Sequence, residues 1–400
     1  MKMILMAVML SCMVCTSHAE YEILVTDTGT NESCLYGINT QGYAAGFTMV
    51  NGQSMPWMIT PELGQIILPA LPAGSTQHGI GYGVDDNYNV GGSYGGYFNA
   101  TSPFRINNGI GCVWKWNGSV FTPIEFGSRP TTIRSMNNGW FAGQQSPGDT
   151  GFTDNAYTYF GFGTGNPSFL NGVNALGDAT GYGSPANTTM IPMFVKNNGS
   201  GYSVTYAPGP YNWNAYSSGT AINVHDEIVG VNATSGFYWN TSNNAVQFFG
   251  NVCYGISDSG TIVGNLNGHA HQWKKVNGIY VGTDLNTLIS DTNLVLETAF
   301  GINASGRIVG RCFDKKQNAF HGFMLVPATP VGMSLRPDSP GYARLRWQSQ
   351  ANRDYSIRIS TDLKHWVTYP GVYESTDSTA NVLVPTDEAK LFLRVFDVTP

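Results

Sequence analysis

The sequence predicts an all-β protein: a seven-bladed β-propeller closed by its N-terminal strand, followed by a small β-sandwich domain. Three observations carry this prediction. A short hairpin motif recurs seven times along the chain. An aromatic-rich stretch follows each copy. The composition is that of short strands and tight turns, with 49 Gly and only 12% charged residues.

The chain opens MKMILMAVMLSCMVCTSHAEYE. Lys2 is a minimal positive region, Met3 to Cys15 an apolar one, and Ser17-His18-Ala19 a small–x–small cleavage site. Residues 1–19 therefore read as a secretory signal peptide, cleaved near Ala19, and no later segment reads as a membrane span. Acylation at Cys12 would leave a very short apolar region. The expected location is secreted, at the cell surface or periplasmic. Without the signal, Cys34, Cys112, Cys253 and Cys312 remain. Four thiols allow three pairings, and the spacing does not choose among these or four buried thiols.

Residues 20–328 read as the propeller. EYEILVTDTG is an orphan strand ahead of the first hairpin. The hairpins are GINTQGYAAG (37–46), GVDDNYNVGG (83–92), SMNNGWFAG (135–143), GVNALGDATG (172–181), AINVHDEIVG (221–230), GISDSGTIVG (255–264) and GINASGRIVG (301–310). In each, Asn or Asp can bond its own backbone and Gly supplies the positive φ that turns the chain. An aromatic-rich strand such as MPWMI, CVWKW or HGFML comes next, then a turn and a fourth strand such as VFTPIEF or YSVTYA. Four antiparallel strands per unit make a blade. The seventh unit stops at Phe323-Met324-Leu325-Val326 without a fourth strand, so the orphan strand is expected to complete it and close the ring. Residues 329–400 differ: charge rises, Gly falls, and YARLRWQ and DYSIRIST alternate as sandwich strands with Trp347 and Tyr355 inside.

The pattern G-I-N-x-x-G-x-I-V-G followed by H-A-F or H-G-F resembles the HAF-type extracellular repeat proteins of bacteria, over about Glu20 to Pro327. It is nearest in the last two units, where DLNTLI, LETAFGINASGRIVG and AFHGFML follow in order. The resemblance implies a secreted β-propeller-like fold and brings no catalytic residues with it. The last segment, with R-L-R-W and Y-S-I-R-I-S-T-D-L-K-H-W, resembles fibronectin-III-like modules.

Candidate chemistry is sparse. A net charge of −6 excludes a basic nucleic-acid surface or polybasic membrane patch. His269 and His271 alternate on one strand, as metal ligands can, but they align with Met55-Pro56-Trp57, Phe237-Tyr238-Trp239 and His321-Gly322-Phe323, and so read as packing between blades. There is no G-x-S-x-G and no HExxH. Asp85, Asp86 and His225-Asp226-Glu227 fall in hairpin turns; Asp149 and Asp154 are acids outside them. Calcium has no D-x-[DN]-x-[DN]-G segment to hold it and single acids give too few oxygens, so no cofactor is expected. The long connections fall between second and third strands or between blades, which places them on one face. They carry Tyr97, Phe104, Tyr211, Trp213 and Tyr216, residue types that suit stacking on a sugar or a protein contact. A non-enzymatic scaffold for an extracellular glycan or surface protein is the first reading. The others are a glycan-active hydrolase or lyase with acids around the channel, and a purely structural protein.

Overall fold

The computed structural model describes residues 21–25, 32–60, 64–69, 78–95, 97–99, 105–107, 109–126, 131–145, 149–153, 168–184, 190–209, 217–233, 235–289 and 291–327, together with 329–330, 333–339, 342–349, 353–360, 367–369, 371, 373–375, 378–385 and 392–397. The expected signal peptide lies outside them.

The protein is an all-β propeller. Six four-stranded antiparallel sheets are present; five are each built from one repeat unit, and the sixth combines the last unit with the N-terminal strand. The first, for example, runs Ser33–Ile38, Ala44–Val50, Gln53–Ile59, Gln65–Ile67 from the inside outward. The third unit corrects the expectation of seven four-stranded blades: it is a three-stranded sheet of Thr131–Asn137, Trp140–Gln145 and Asp149–Thr153. The stretch that would supply its fourth strand, 154–167, lies outside the described residues. The first strand of each unit packs against the first strand of the next, and that of the last against Ser33–Ile38, so the sheets form a closed ring.

Closure uses the N-terminal strand as expected. Tyr21–Val25 pairs antiparallel with Phe323–Pro327, outermost in the last sheet. The segment LNTL, Leu285–Leu288, forms a short 3-10 turn whose start is capped by the Asp284 carboxylate, which accepts from the Asn286 N–H.

The repeated hairpin explains itself. The Asn39 carboxamide oxygen accepts the N–H groups of Gln41 and Tyr43, and the left-handed Gly42 (φ 95°) lets the chain turn back. Asp85, Asn174 and Asn223 make the same bonds, and Asn303 accepts the Arg307 N–H together with the Ser305 hydroxyl. Every inner strand also carries a β-bulge two residues before the hairpin turn begins, as at Leu35/Gly37 and Cys253/Gly255.

Residues from Thr329 onward form two sheets. One contains Met333–Ser339, Tyr342–Gln348 and Thr379–Pro385; the other is centred on Arg353–Ser360 and Phe392–Asp397. Trp347 and Tyr355 are buried between them with Leu345, Ile357 and Val395. This unit touches the ring closure: the Arg358 guanidinium donates to the Tyr21 carbonyl at 3.2 Å, in a buried contact. The four cysteines are separate buried thiols, so neither disulfide is formed. Burial pushes the thiols of Cys34 and Cys312 up to about 12.

Candidate functional site: the channel and its two mouths

The inner-strand bulges place one side chain per unit toward the axis: Tyr36, Tyr82, Arg134, Asn171, Thr220, Tyr254 and Phe300. They meet in sequence around the ring. Ring centroids are 4.9 Å apart for Tyr254–Phe300, 5.0 Å for Phe300–Tyr36 and 5.4 Å for Tyr36–Tyr82. Arg134 lies over Tyr82 at 4.6 Å and over Phe169 at 5.6 Å. On the other side the contacts are polar: Asn171 donates to Ser218 Oγ and the Gly219 carbonyl, and Thr220 to the Cys253 carbonyl. One arc of the channel is therefore aromatic with a single cation, and the other is hydrogen-bonded. Burial, followed by the neighbouring Cys34 and Tyr82 groups, drives the Tyr36 hydroxyl well above its usual range despite the Arg134 charge.

Nothing in the linear sequence marks these residues as a set, because their types differ from unit to unit. The signal that finds them is positional: each stands directly before the small residue that precedes Ile-Asn or its equivalent. That small residue faces the neighbouring backbone. A Cβ on Gly37 would lie 2.7 Å from the Tyr82 carbonyl oxygen, and one on Gly301 2.8 Å from that of Tyr36.

At the short-turn mouth the hairpin residues form a girdle. The amide of Asn303 donates to the Asn39 carbonyl at 3.0 Å, and that of Asn39 to the Asp85 carbonyl at 3.0 Å. Asn174 reaches the Asn223 carbonyl at 2.9 Å, and Asn223 the Ser257 carbonyl at 3.1 Å. Each Asn thus closes its own turn with its oxygen and ties its blade to the next with its nitrogen. Asn303→Asp keeps the first function, removes the second and sets a carboxylate against the Asn39 carbonyl at the ring seam. We expect it to cost about 1–3 kcal/mol in urea unfolding.

The acids here are structural. Asp85 is buried and accepts from Asn87, Asn89 and the Asn89 amide; burial raises its pKa, opposed by those bonds. Asp86 accepts the Thr40 N–H, and Asp258 that of Val224. Asp226 shares Lys196 with Asp178, at 2.9 and 3.0 Å. Glu227 accepts from Asn223 and Tyr238. The mouth encloses about 100 Å³ of solvent space, well below the roughly 300–1,000 Å³ of a ligand pocket.

The histidines separate. His321 is fully buried inside its blade, as a packing residue should be. His269 is not: it is half exposed and holds the Asp284 carboxylate at 2.7 Å. Burial would raise the Asp284 pKa, but the bonds from His269 and Asn286 prevail and hold it below the ordinary value. His271 sits opposite the closing Gly264 and stacks on Trp273, with centroids 5.7 Å apart. The fifth unit is also shifted by two residues from its sequence alignment, since Phe237, not Trp239, stands opposite its closing Gly230. Among the described residues no group of three His, Cys, Asp or Glu side chains is arranged to hold a metal.

The opposite mouth is where the long connections emerge. The Gly95 N–H, leaving the second strand of its unit, bonds the carbonyl of His78, which enters the first strand. Tyr97 lies on a short extra strand, Tyr97–Asn99, paired with Arg105–Asn107. Phe104, Tyr211, Trp213 and Tyr216 lie outside the described residues, as does Asp154, and Asp149 is on the edge strand of the third unit.

No family model and no curated protein matches the chain. Among solved structures, a streptogramin B lyase is similar over 77% of this chain and 100% of its own, at 11% identity and a TM-score of 0.44. A chain of the mitotic checkpoint complex is similar over 77% of this chain and 95% of its own, at 10% identity and 0.45. The extracellular domain of a putative one component system from B. thetaiotaomicron is similar over 89% of this chain and 48% of its own, at 10% and 0.45. Similarity at this level carries no argument about activity, and the architecture rests on the strand order and packing above. No helix among the described residues is long and apolar enough to cross a membrane.

Proposed function

We propose that the protein is a secreted or cell-surface binding scaffold of the HAF type, meeting a glycan or surface protein through its long-loop face. In this reading the three-stranded third unit is the seventh blade of the ring, and the C-terminal unit is a fibronectin-III-like spacer or attachment module. Its two-sheet strand order and buried Trp347 and Tyr355 support that assignment. The observation that carries the binding reading is the division between the two faces. The short-turn face is tied blade to blade by its own Asn side chains, and its acids are engaged in turns and ion pairs. The other face carries the extra Tyr97 hairpin beside the connection that enters at His78. Irregular connections held on a rigid ring are where binding residues are usually presented.

The test is a glycan array followed by crosslinking to intact cell surfaces. We expect the wild-type chain to be retained and the Tyr97→Ala/Trp213→Ala variant to lose about tenfold in apparent affinity. Full retention by that variant rejects this face as the binding surface, and turnover of an arrayed glycan moves the assignment to a hydrolase or lyase.

A further inference from the structure

We propose that the channel holds a binding site for a ring-bearing carboxylate, with Arg134 as its anchor. The inference comes from two arginines packed alike and charged alike but partnered differently. Arg311, in the last unit, lies over the Phe320 ring at 4.6 Å and holds the Glu297 carboxylate at 2.8 Å. Arg134 lies over the Tyr82 ring at the same 4.6 Å, yet among the described residues no carboxylate pairs with it and no hydrogen bond satisfies its guanidinium. It is half buried, so this charge sits in a medium where Coulombic attraction is stronger than in water.

A guanidinium held over ring faces keeps its in-plane N–H donors for an acceptor, and their fork matches the two oxygens of a carboxylate. The surroundings suit the rest of such a ligand. Tyr36, Tyr82 and Phe300 line the same arc with their rings, and none of the seven side chains set toward the axis is an acid. A planar or sugar ring can stack there while its carboxylate takes the place at Arg134 that Glu297 takes at Arg311. The site lies in the channel and does not depend on binding at the long-loop face.

The experiment is calorimetric titration of the full chain with D-galacturonate and D-galactose, which present the same ring with and without the carboxylate. We expect galacturonate to bind at least about tenfold tighter than galactose, with an affinity that falls as NaCl rises. Arg134→Gln should abolish that preference, while Val276→Ala, at an exposed position away from both faces' proposed contacts, should leave it intact. Equal affinities for the two sugars, absence of galacturonate binding up to about 20 mM, or an unchanged preference in Arg134→Gln overturns the proposal. Should Arg134→Gln not fold, Arg134→Lys keeps the charge but loses the fork. A drop of about fivefold or more in that variant supports the site, and unchanged affinity rejects it.

Discussion

A chain lacking residues 1–26 should melt at least about 10 °C below the chain that begins at Glu20, or fail to stay soluble. Tyr21–Val25 is the outermost strand of the last sheet and joins the start of the chain to the end of the ring through antiparallel backbone pairing. Removing it uncovers the edge of Phe323–Pro327, which then becomes a template for pairing with other chains. It also removes Tyr21, which is buried among Leu296, Phe323 and Leu325 and whose hydroxyl donates to Gln272 at 3.1 Å. Ile23 and Val25 pack on the same cluster, and Leu24 on the opposite one beside Trp57 and Met324. One aromatic anchor and five residues of pairing amount to about 5 kcal/mol or more, on the scale of a whole domain's stability. Arg358 would lose its acceptor at the Tyr21 carbonyl, so the C-terminal unit should loosen from the ring as well. A synthetic peptide spanning Glu20 to Asp27, added in excess, should raise the melting temperature of the truncated chain in a concentration-dependent way. Scanning calorimetry decides the matter; an unchanged melting temperature in the truncated chain would mean that closure rests on the inner strands alone.

The hairpins and the latch were legible in the sequence because each is a local pattern. Asn39, Asn174 and Asn303 mark turns through their own backbone, and an orphan strand before Gly37 matches a missing one after Val326. The channel lining was not legible. Tyr36, Arg134 and Thr220 share a position and no chemistry, so only the bulge that turns them to the axis identifies them as a set. His269 departs from the packing expectation for a related reason. The alignment gives its register correctly, opposite Leu266, but not its exposure, which depends on Asp284 from the adjacent strand. The girdle lies between these cases. The sequence reveals the Asn oxygen's turn, whereas the Asn nitrogen's bond reaches a blade some forty residues away in the chain, or, at the seam, Asn303 to Asn39.

The final glycine of each repeat makes the strongest single-residue prediction. Gly46→Ala should cost more than about 4 kcal/mol or prevent folding, a loss far beyond that of an ordinary Gly→Ala change. The reason is the bulge in the facing inner strand, which pushes a carbonyl toward the second strand. A Cβ on Gly46 would stand 1.9 Å from the Cys34 carbonyl oxygen, with the Leu35 backbone behind it. The same collision recurs at Gly92 with Ile80 at 2.0 Å, at Gly181 with Phe169 at 1.8 Å and at Gly310 with Thr298 at 2.0 Å. Because the obstacle is backbone inside a ladder, it cannot swing away as a side chain could, and relief requires the bulge itself to unwind. That would withdraw Tyr36 from the channel, since the bulge sets its direction. Two other glycines isolate the cause. At Gly201 a Cβ meets nothing within 4 Å, so Gly201→Ala should change stability by no more than about 1 kcal/mol, in the stabilising direction. Gly52 has equally open space but φ 78°, so its alanine variant should lose only about 1–2 kcal/mol through backbone strain. Urea unfolding of the three variants should rank Gly46→Ala far below Gly52→Ala, with Gly201→Ala at or above wild type. If Gly46→Ala instead unfolds with Gly52→Ala, the bulge is free to relax, and the closing glycine serves strand flexibility and not the fit between strands.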